Sequence, residues 1–162
     1  RTLRQCFQFG TSLWKPFFAS IYGFWDAIYS SLWADGYLSA YNRPPWSYDF
    51  MLSCIWFSLL PTALILFGMI SAFFEEKGPL GRMLRFSVSC IILYLGAVFA
   101  VFLTVPILSS AKASYALGLI PCLALVATSG IARLTVHPVG KAVFSGFFAC
   151  WAVSAYVSFL TL

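Results

Sequence analysis

Four long apolar stretches separated by short polar links dominate the chain, at residues 49–74, 86–109, 115–134 and 142–162. Each is long enough to supply the run of about 20 apolar residues that one bilayer crossing needs. The first carries no charge from Phe50 to Phe74. Pro61 sits in its middle and predicts a kink, because proline cannot donate to the carbonyl four residues back. Pro106 lies near the end of the second stretch and Pro121 one turn into the third. Glu75 to Arg82 reads as a polar turn. Gly118 and Gly130 in the third stretch are predicted to let helices approach closely, and Ser145, Gly146, Ala149 and Ala152 in the fourth form a candidate packing stripe.

Residues 1–47 follow another pattern. Trp14, Trp25, Trp33 and Trp46 stand there with many tyrosines and phenylalanines among charges. Such rings prefer the membrane–water boundary, where the ring is apolar and its N–H or O–H stays wet. Phe17, Phe18, Ile21, Phe24, Trp25 and Ile28 recur at spacings of three and four, which predicts a helix lying on the bilayer surface. Asn42 to Pro45 reads as a stiff linker. The expected fold is therefore an all-α polytopic transmembrane bundle of four crossings over residues 48–162, led by an outer-face interfacial amphipathic segment over 1–47.

Composition agrees with this pattern. Hydrophobic residues make up 61% of the chain and charged residues 9%, against roughly a quarter charged in soluble domains. So few charges cannot coat a water-facing surface. The basic residues also suggest an orientation. Lys77, Arg82 and Arg85 follow the first crossing and Arg133 and Lys141 the third, whereas the link between carries only Lys112. The positive-inside rule then puts the first and third links in the cytoplasm, and the N-terminal segment and Lys112 on the outer or lumenal face. The net charge of +5 suits anionic lipid headgroups, and no basic cluster points to nucleic acid. The chain runs from Arg1 to Leu162, where it ends within an apolar run. We expect it to belong to a longer protein whose acidic chemistry lies before Arg1, with other transmembrane helices of that protein or a complex as partners.

Few residues could carry chemistry. No phosphate-binding glycine loop, paired histidines or paired cysteines occur, so no metal and no cofactor is expected. All five carboxylates lie at or before Glu76, and none interrupts an apolar run. An ion pathway normally needs acidic groups at membrane depth, so these helices alone do not read as a pump. Asp26 and Asp35, with Trp33 beside them, are candidate substrate-binding residues, since an aspartate among aromatics can orient a sugar hydroxyl. The same aspartates suit a helix cap or a turn. Lys112 and Tyr115 form the sharper pair, because a lysine in an outer link can meet a lipid phosphate. The plainer reading is a snorkelling lysine and a belt tyrosine. No residue is assigned a catalytic role.

Ser110-Ala111-Lys112-Ala113-Ser114-Tyr115, running on to Pro121, is similar to a pattern in polytopic glycosyltransferases of the GT-C type. In that family a basic residue and a tyrosine open a late transmembrane helix with a proline soon after. Phe24 to Gly36, followed by Pro44-Pro45-Trp46, looks like the outer-face segment that precedes the late helices in some relatives. The resemblance implies sugar transfer from a polyprenyl-phosphate donor in a bacterial inner membrane or the endoplasmic reticulum. It also implies that Lys112 and Tyr115 lie near the donor phosphate, with the catalytic aspartate in a first outer loop that this chain does not contain. The competing expectation is a non-catalytic structural subunit of a larger integral membrane complex, which the missing catalytic groups and the small-residue stripe favour.

Overall fold

A computed structural model describes residues 2–16, 21–34, 47–75, 78–105 and 111–160. The elements in order are α1 (Leu3–Phe7), a short 3₁₀ turn (Thr11–Leu13), α2 (Phe24–Trp33), α3 (Tyr48–Phe57), α4 (Leu59–Ala72), α5 (Pro79–Thr104), a 3₁₀ helix (Ala113–Leu119), α6 (Ile120–Leu134) and α7 (Pro138–Leu160). No strand occurs among the described residues. Four segments are long and apolar enough to cross a membrane: Tyr48–Ala72, Pro79–Thr104, Ala113–Leu134 and Pro138–Ser158. The protein is an all-α polytopic bundle, as the apolar periods predict.

The boundaries move where local signals outweigh polarity. The second crossing begins at Pro79, well before residue 86, because Gly78 is the N-cap and proline at the first helical position needs no N–H partner. Gly81 and Leu84 then face inward, so this first turn is already packed. The fourth crossing likewise starts at Pro138. The linker expected at Asn42 to Pro45 ahead of the first crossing, and Pro106, lie outside the described residues.

The first crossing is broken in two. The break falls at Ser58 (φ −69°, ψ −8°), between α3 and α4, with Pro61 buried in the first turn of α4. Proline at 61 removes the donor that the Phe57 carbonyl would use, so the disruption appears one turn before the proline itself. The two halves take different partners. α3 packs on α7, and α4 packs on α6 and, less extensively, on α5. α7 runs antiparallel to α3: the Ser47 amide donates to the Ser158 carbonyl at 2.9 Å, and Phe57 meets Phe147 edge to face at 5.3 Å.

The α4–α6 crossing depends on two glycines. A methyl group at Gly68 would overlap the Val126 carbonyl, and one at Gly130 would stand 2.6 Å from the Leu64 carbonyl oxygen. Gly130 thus serves the close approach predicted for it. Gly118 does not, since nothing lies within 4 Å of its missing Cβ. The predicted stripe on α7 also lacks a partner: Ser145, Gly146, Ala149 and Ala152 are exposed. α7 instead meets α3 and its C-cap Ser58 through Phe147, Trp151 and the Ser158 carbonyl, and only 6% of its most apolar stretch is buried against 33% for the first crossing.

The inner core of the bundle contains Ala72, Leu84, Val88, Ile91, Leu119 and Val126. A second cluster docks α2 onto the far end of α5: Phe24, only 1% exposed, packs against Phe99 and Phe102 with ring centroids 4.9 and 5.5 Å away. At the opposite end of the bundle Arg133 pairs with the Glu75 carboxylate, while Arg85 donates to the Glu75 carbonyl at 3.2 Å. This ties the end of α4 to α5 and α6. The partly exposed pair adds little stability by itself.

Replacing Gly68 with alanine should force α4 and α6 apart and cost about 1–3 kcal/mol, the usual range for overpacking. Gly146→Ala, which meets open space, should be neutral or stabilising through helix propensity. Thermal unfolding of the detergent-solubilised protein compares the two.

Candidate functional site

The N-terminal segment folds back on itself before it reaches the bundle. Ile21 and Tyr22 form a turn and Gly23 is the N-cap of α2, so no single helix runs from residue 17 to 28 as the spacing of Phe17, Phe18 and Ile21 suggested. Residues 17–20 lie outside the described residues. The physical reason is a close contact at Gly23: a Cβ there would stand 2.9 Å from the Gln5 carbonyl oxygen and 3.2 Å from that of Gln8. The chain must reverse at this point to stack α1 on α2.

Asp26 fastens this reversal. It sits in the first turn of α2, fully buried. Its Oδ1 accepts from the Gly10 amide at 2.9 Å, the Ser12 amide at 2.9 Å and the Ser12 hydroxyl at 2.7 Å. Gly10 makes the geometry possible with φ of 115°, a left-handed conformation that glycine adopts without penalty. Asp26 therefore does the work of a turn-tying residue. Enclosed within the hairpin, Asp26 is 0% exposed, and its Oδ2 has no hydrogen-bond partner among the described residues. Asp35 lies outside the described residues.

α2 then carries two side chains that reach the bundle. The Tyr29 hydroxyl donates to the Ile55 carbonyl at 2.6 Å, in the last turn of α3. From the other side, the Trp151 indole donates to the Ser58 hydroxyl at 2.9 Å, and that hydroxyl donates to the Cys54 carbonyl at 2.7 Å. The broken turn ahead of Pro61 is thus surrounded by donors from α2 and α7. Burial, and more weakly the Cys54 thiol, push the Tyr29 phenol well above its ordinary range, so it remains a donor. Nothing in the sequence near Tyr29 or Trp151 announces this role.

The 3₁₀ helix that opens the third crossing has two faces. Its period is three residues, so side chains three apart eclipse one another. Ala113, Ala116 and Leu119 form the buried face. The Ala113 amide, which has no acceptor within its own helix, donates to the Ser31 hydroxyl of α2 at 2.8 Å. Lys112 is the N-cap, and its carbonyl accepts from the Tyr115 amide at 3.2 Å. Tyr115 is 50% exposed one 3₁₀ turn later. The Tyr94 hydroxyl of α5 donates to the Tyr115 carbonyl and fixes this rung against the neighbouring helix. An open groove of about 440 Å³ runs here, lined by Tyr94, Ala97, Val98, Val101 and Tyr115.

A second cavity, about 380 Å³, lies on the other side of the 3₁₀ helix, between α2 and the helices α4, α5 and α6. Trp33 lines it, together with Ile28, Ile65, Met69, Ile91 and Leu123. Of the five sequence candidates, Lys112 and Tyr115 fall on consecutive turns of one segment. Trp33 stands at the second cavity and Asp26 is withdrawn into the hairpin. No group of three or more metal-ligating side chains occurs among the described residues. The arrangement is that of an integral membrane protein with donor groups beside apolar grooves. No family model, no curated protein and no solved structure matches the chain.

Tyr29→Phe should cost about 1 kcal/mol at neutral pH, the usual net worth of one hydrogen bond. A raised phenol pKa gives stability that is intact below about pH 10, the value for an unfolded tyrosine, and is lost as pH rises above it. The difference between wild type and the variant should therefore shrink above pH 10, which parallel unfolding curves would show.

Proposed function

We propose that this chain is the C-terminal membrane portion of a polyprenyl-phosphate-dependent glycosyltransferase, in which Lys112 and Tyr115 contact the phosphate of the lipid-linked donor. The observation that carries this reading is the phase of the 3₁₀ helix. Lys112 and Tyr115 stand one turn apart at the mouth of the third crossing, while the alanine face of the same helix is turned into the bundle. A lysine offers a point charge to a phosphate and a phenol adds a directed donor. Beside them the groove wall of Ala97, Val98 and Val101 offers an apolar track for the attached chain. An amphiphile with an anionic head and a hydrocarbon tail matches both parts.

In this reading the aromatic N-terminal segment lies on the outer or lumenal face of a bacterial inner membrane or of the endoplasmic reticulum. The catalytic base belongs to a part of the protein outside this chain. One observation favours the alternative, a non-catalytic subunit of a larger membrane complex: the unpartnered small-residue face of α7 suits packing against further helices.

Lys112→Ala in the full-length protein should reduce sugar transfer from a polyprenyl-phosphate donor by roughly ten- to a hundredfold, the loss of one charge-assisted hydrogen bond. Tyr115→Phe should give a smaller loss. Unchanged transfer by Lys112→Ala would remove the phosphate role and leave the structural-subunit reading. For orientation, a cysteine placed at Lys112 in a cysteine-free background should react with an impermeant maleimide added outside intact cells. Labelling only after lysis would reverse the assigned topology.

A further inference from the structure

We propose that α2 is a re-entrant helix. It enters the bilayer beside the end of α5 and ends within the hydrocarbon layer between α3 and α7, so its open side meets lipid chains and not headgroups or water. Re-entry does not depend on the function proposed for Lys112 and Tyr115.

Two crossings fix the depth of α2 independently. The Ser47 amide donates to the Ser158 carbonyl at 2.9 Å, so the start of α3 and the end of α7 stand at one level, the rim of the bundle. Trp33 lies below that rim on both helices. Its carbonyl accepts from the Cys54 thiol at 3.6 Å, and its ring packs edge to face on Trp151 at 5.7 Å. Cys54 stands six residues past Tyr48, and Trp151 seven before Ser158. These are about 9 and 10 Å of helix at 1.5 Å per residue. Tyr29 reaches the same level one turn earlier, through the Ile55 carbonyl. The first crossing has 25 residues, so at about 37 Å it exceeds the roughly 30 Å hydrocarbon layer by only a few ångströms at each end. The level shared by Cys54 and Trp151 therefore falls inside that layer.

The other end of α2 is at the rim. Phe24 packs on Phe102, two residues before α5 ends at Thr104. The helix thus slopes inward from Phe24 to Trp33, and its chemistry follows the slope. Charges stay at the entry: Arg4 and Lys15 are exposed on the preceding turns and Asp26 is in the first turn of α2, while residues 27–34 carry none. Charge is expensive at membrane depth. Polar groups on the inner part are answered by protein. The Ser30 and Ser31 hydroxyls both donate to the Ala27 carbonyl, at 3.3 and 2.6 Å, the back-bonding that hides serine in a helix. The last carbonyls of a helix need donors that lipid does not supply, and the Trp33 carbonyl finds the Cys54 thiol. The open side holds Trp25 and Leu32, 42% and 37% exposed, with Ile28 half-buried between them. That stripe is hydrocarbon along its length, which suits acyl chains.

The test uses the full-length protein in nanodiscs of dioleoyl phosphatidylcholine and dioleoyl phosphatidylglycerol. Single spin labels are placed in a cysteine-free background at three positions. Leu32 is the probe, and Leu66, 56% exposed in the middle of the first crossing, is the lipid-facing reference. Lys15 is the rim reference, because the Trp14 carbonyl beside it accepts from the Tyr48 hydroxyl. Collisions with oxygen, which concentrates in hydrocarbon, are compared with collisions with a water-soluble nickel chelate. The ratio of oxygen to nickel collisions at Leu32 should match that at Leu66 and exceed that at Lys15 severalfold. A ratio at Leu32 as low as at Lys15 would put α2 on the bilayer surface and overturn the proposal. Should the cysteine-free chain fail to fold, a photoreactive benzophenone amino acid at position 32, in the chain with its own cysteines, still decides. Adducts on lipid acyl chains support re-entry. Adducts confined to headgroups, or no lipid adduct, overturn it.

Discussion

In a bilayer a backbone carbonyl without a donor has no water to turn to, and this constraint acts most sharply at the broken turn around Ser58. Pro61 cannot serve the Phe57 carbonyl, so the first crossing bends one turn earlier. Tyr29 arrives from α2 and Trp151 from α7, and both place donors within that turn. The bend also redirects the helix. Its α3 half lies along α7 and its α4 half along α6. One crossing thereby organises two helix pairs, and the N-terminal segment is held by the same turn. Removing the break would straighten the helix away from one partner.

The second constraint is the contact of α4 with α6 at Gly68 and Gly130, where backbone meets backbone. Lipid tails are as apolar as leucine, so helices in a membrane gain by packing closely more than by hiding apolar surface. This contact fixes where the third crossing stands, and with it the 3₁₀ helix at its mouth. α2 completes the arrangement by capping the Ala113 amide through Ser31. The result is one short helix with a closed alanine face toward the cavity and an open tyrosine face toward the groove.

The number of crossings was legible because absence of charge over 20 residues is a strong signal in a membrane protein. The kink was legible from Pro61, though its position required counting back along the missing hydrogen bond. Helix starts were missed where polar residues masked them: Gly78-Pro79 begins α5 inside what reads as a turn. The N-terminal helix was misplaced because apolar spacing cannot reveal that Gly23 must touch the α1 backbone. Glycine identity alone likewise did not separate Gly130, which packs, from Gly118, which meets open space. The pairing of Lys112 with Tyr115 came from sequence, but the 3₁₀ phase that separates them from Ala113 and Ala116 did not. Asp26 was singled out as a carboxylate among aromatics, whereas its partners Gly10 and Ser12 lie 16 and 14 residues away in sequence and meet it only in the folded hairpin.

The acidic groups of the described residues serve the fold. Among the described residues, one oxygen of Asp26 ties the hairpin while the other is buried without a hydrogen-bond partner, and Glu75 pairs with Arg133. Asp49 stands in the first turn of α3, where a negative charge complements the helix dipole. At the mouth of the third crossing stand Lys112, the N-cap of the 3₁₀ helix, and the exposed Tyr115. A lysine and a phenol recognise phosphates and carbonyls. In the function proposed above, this end of the bundle holds and orients the lipid, and a carboxylate outside the chain supplies the base. The small-residue face that α7 leaves uncovered suits packing against further helices.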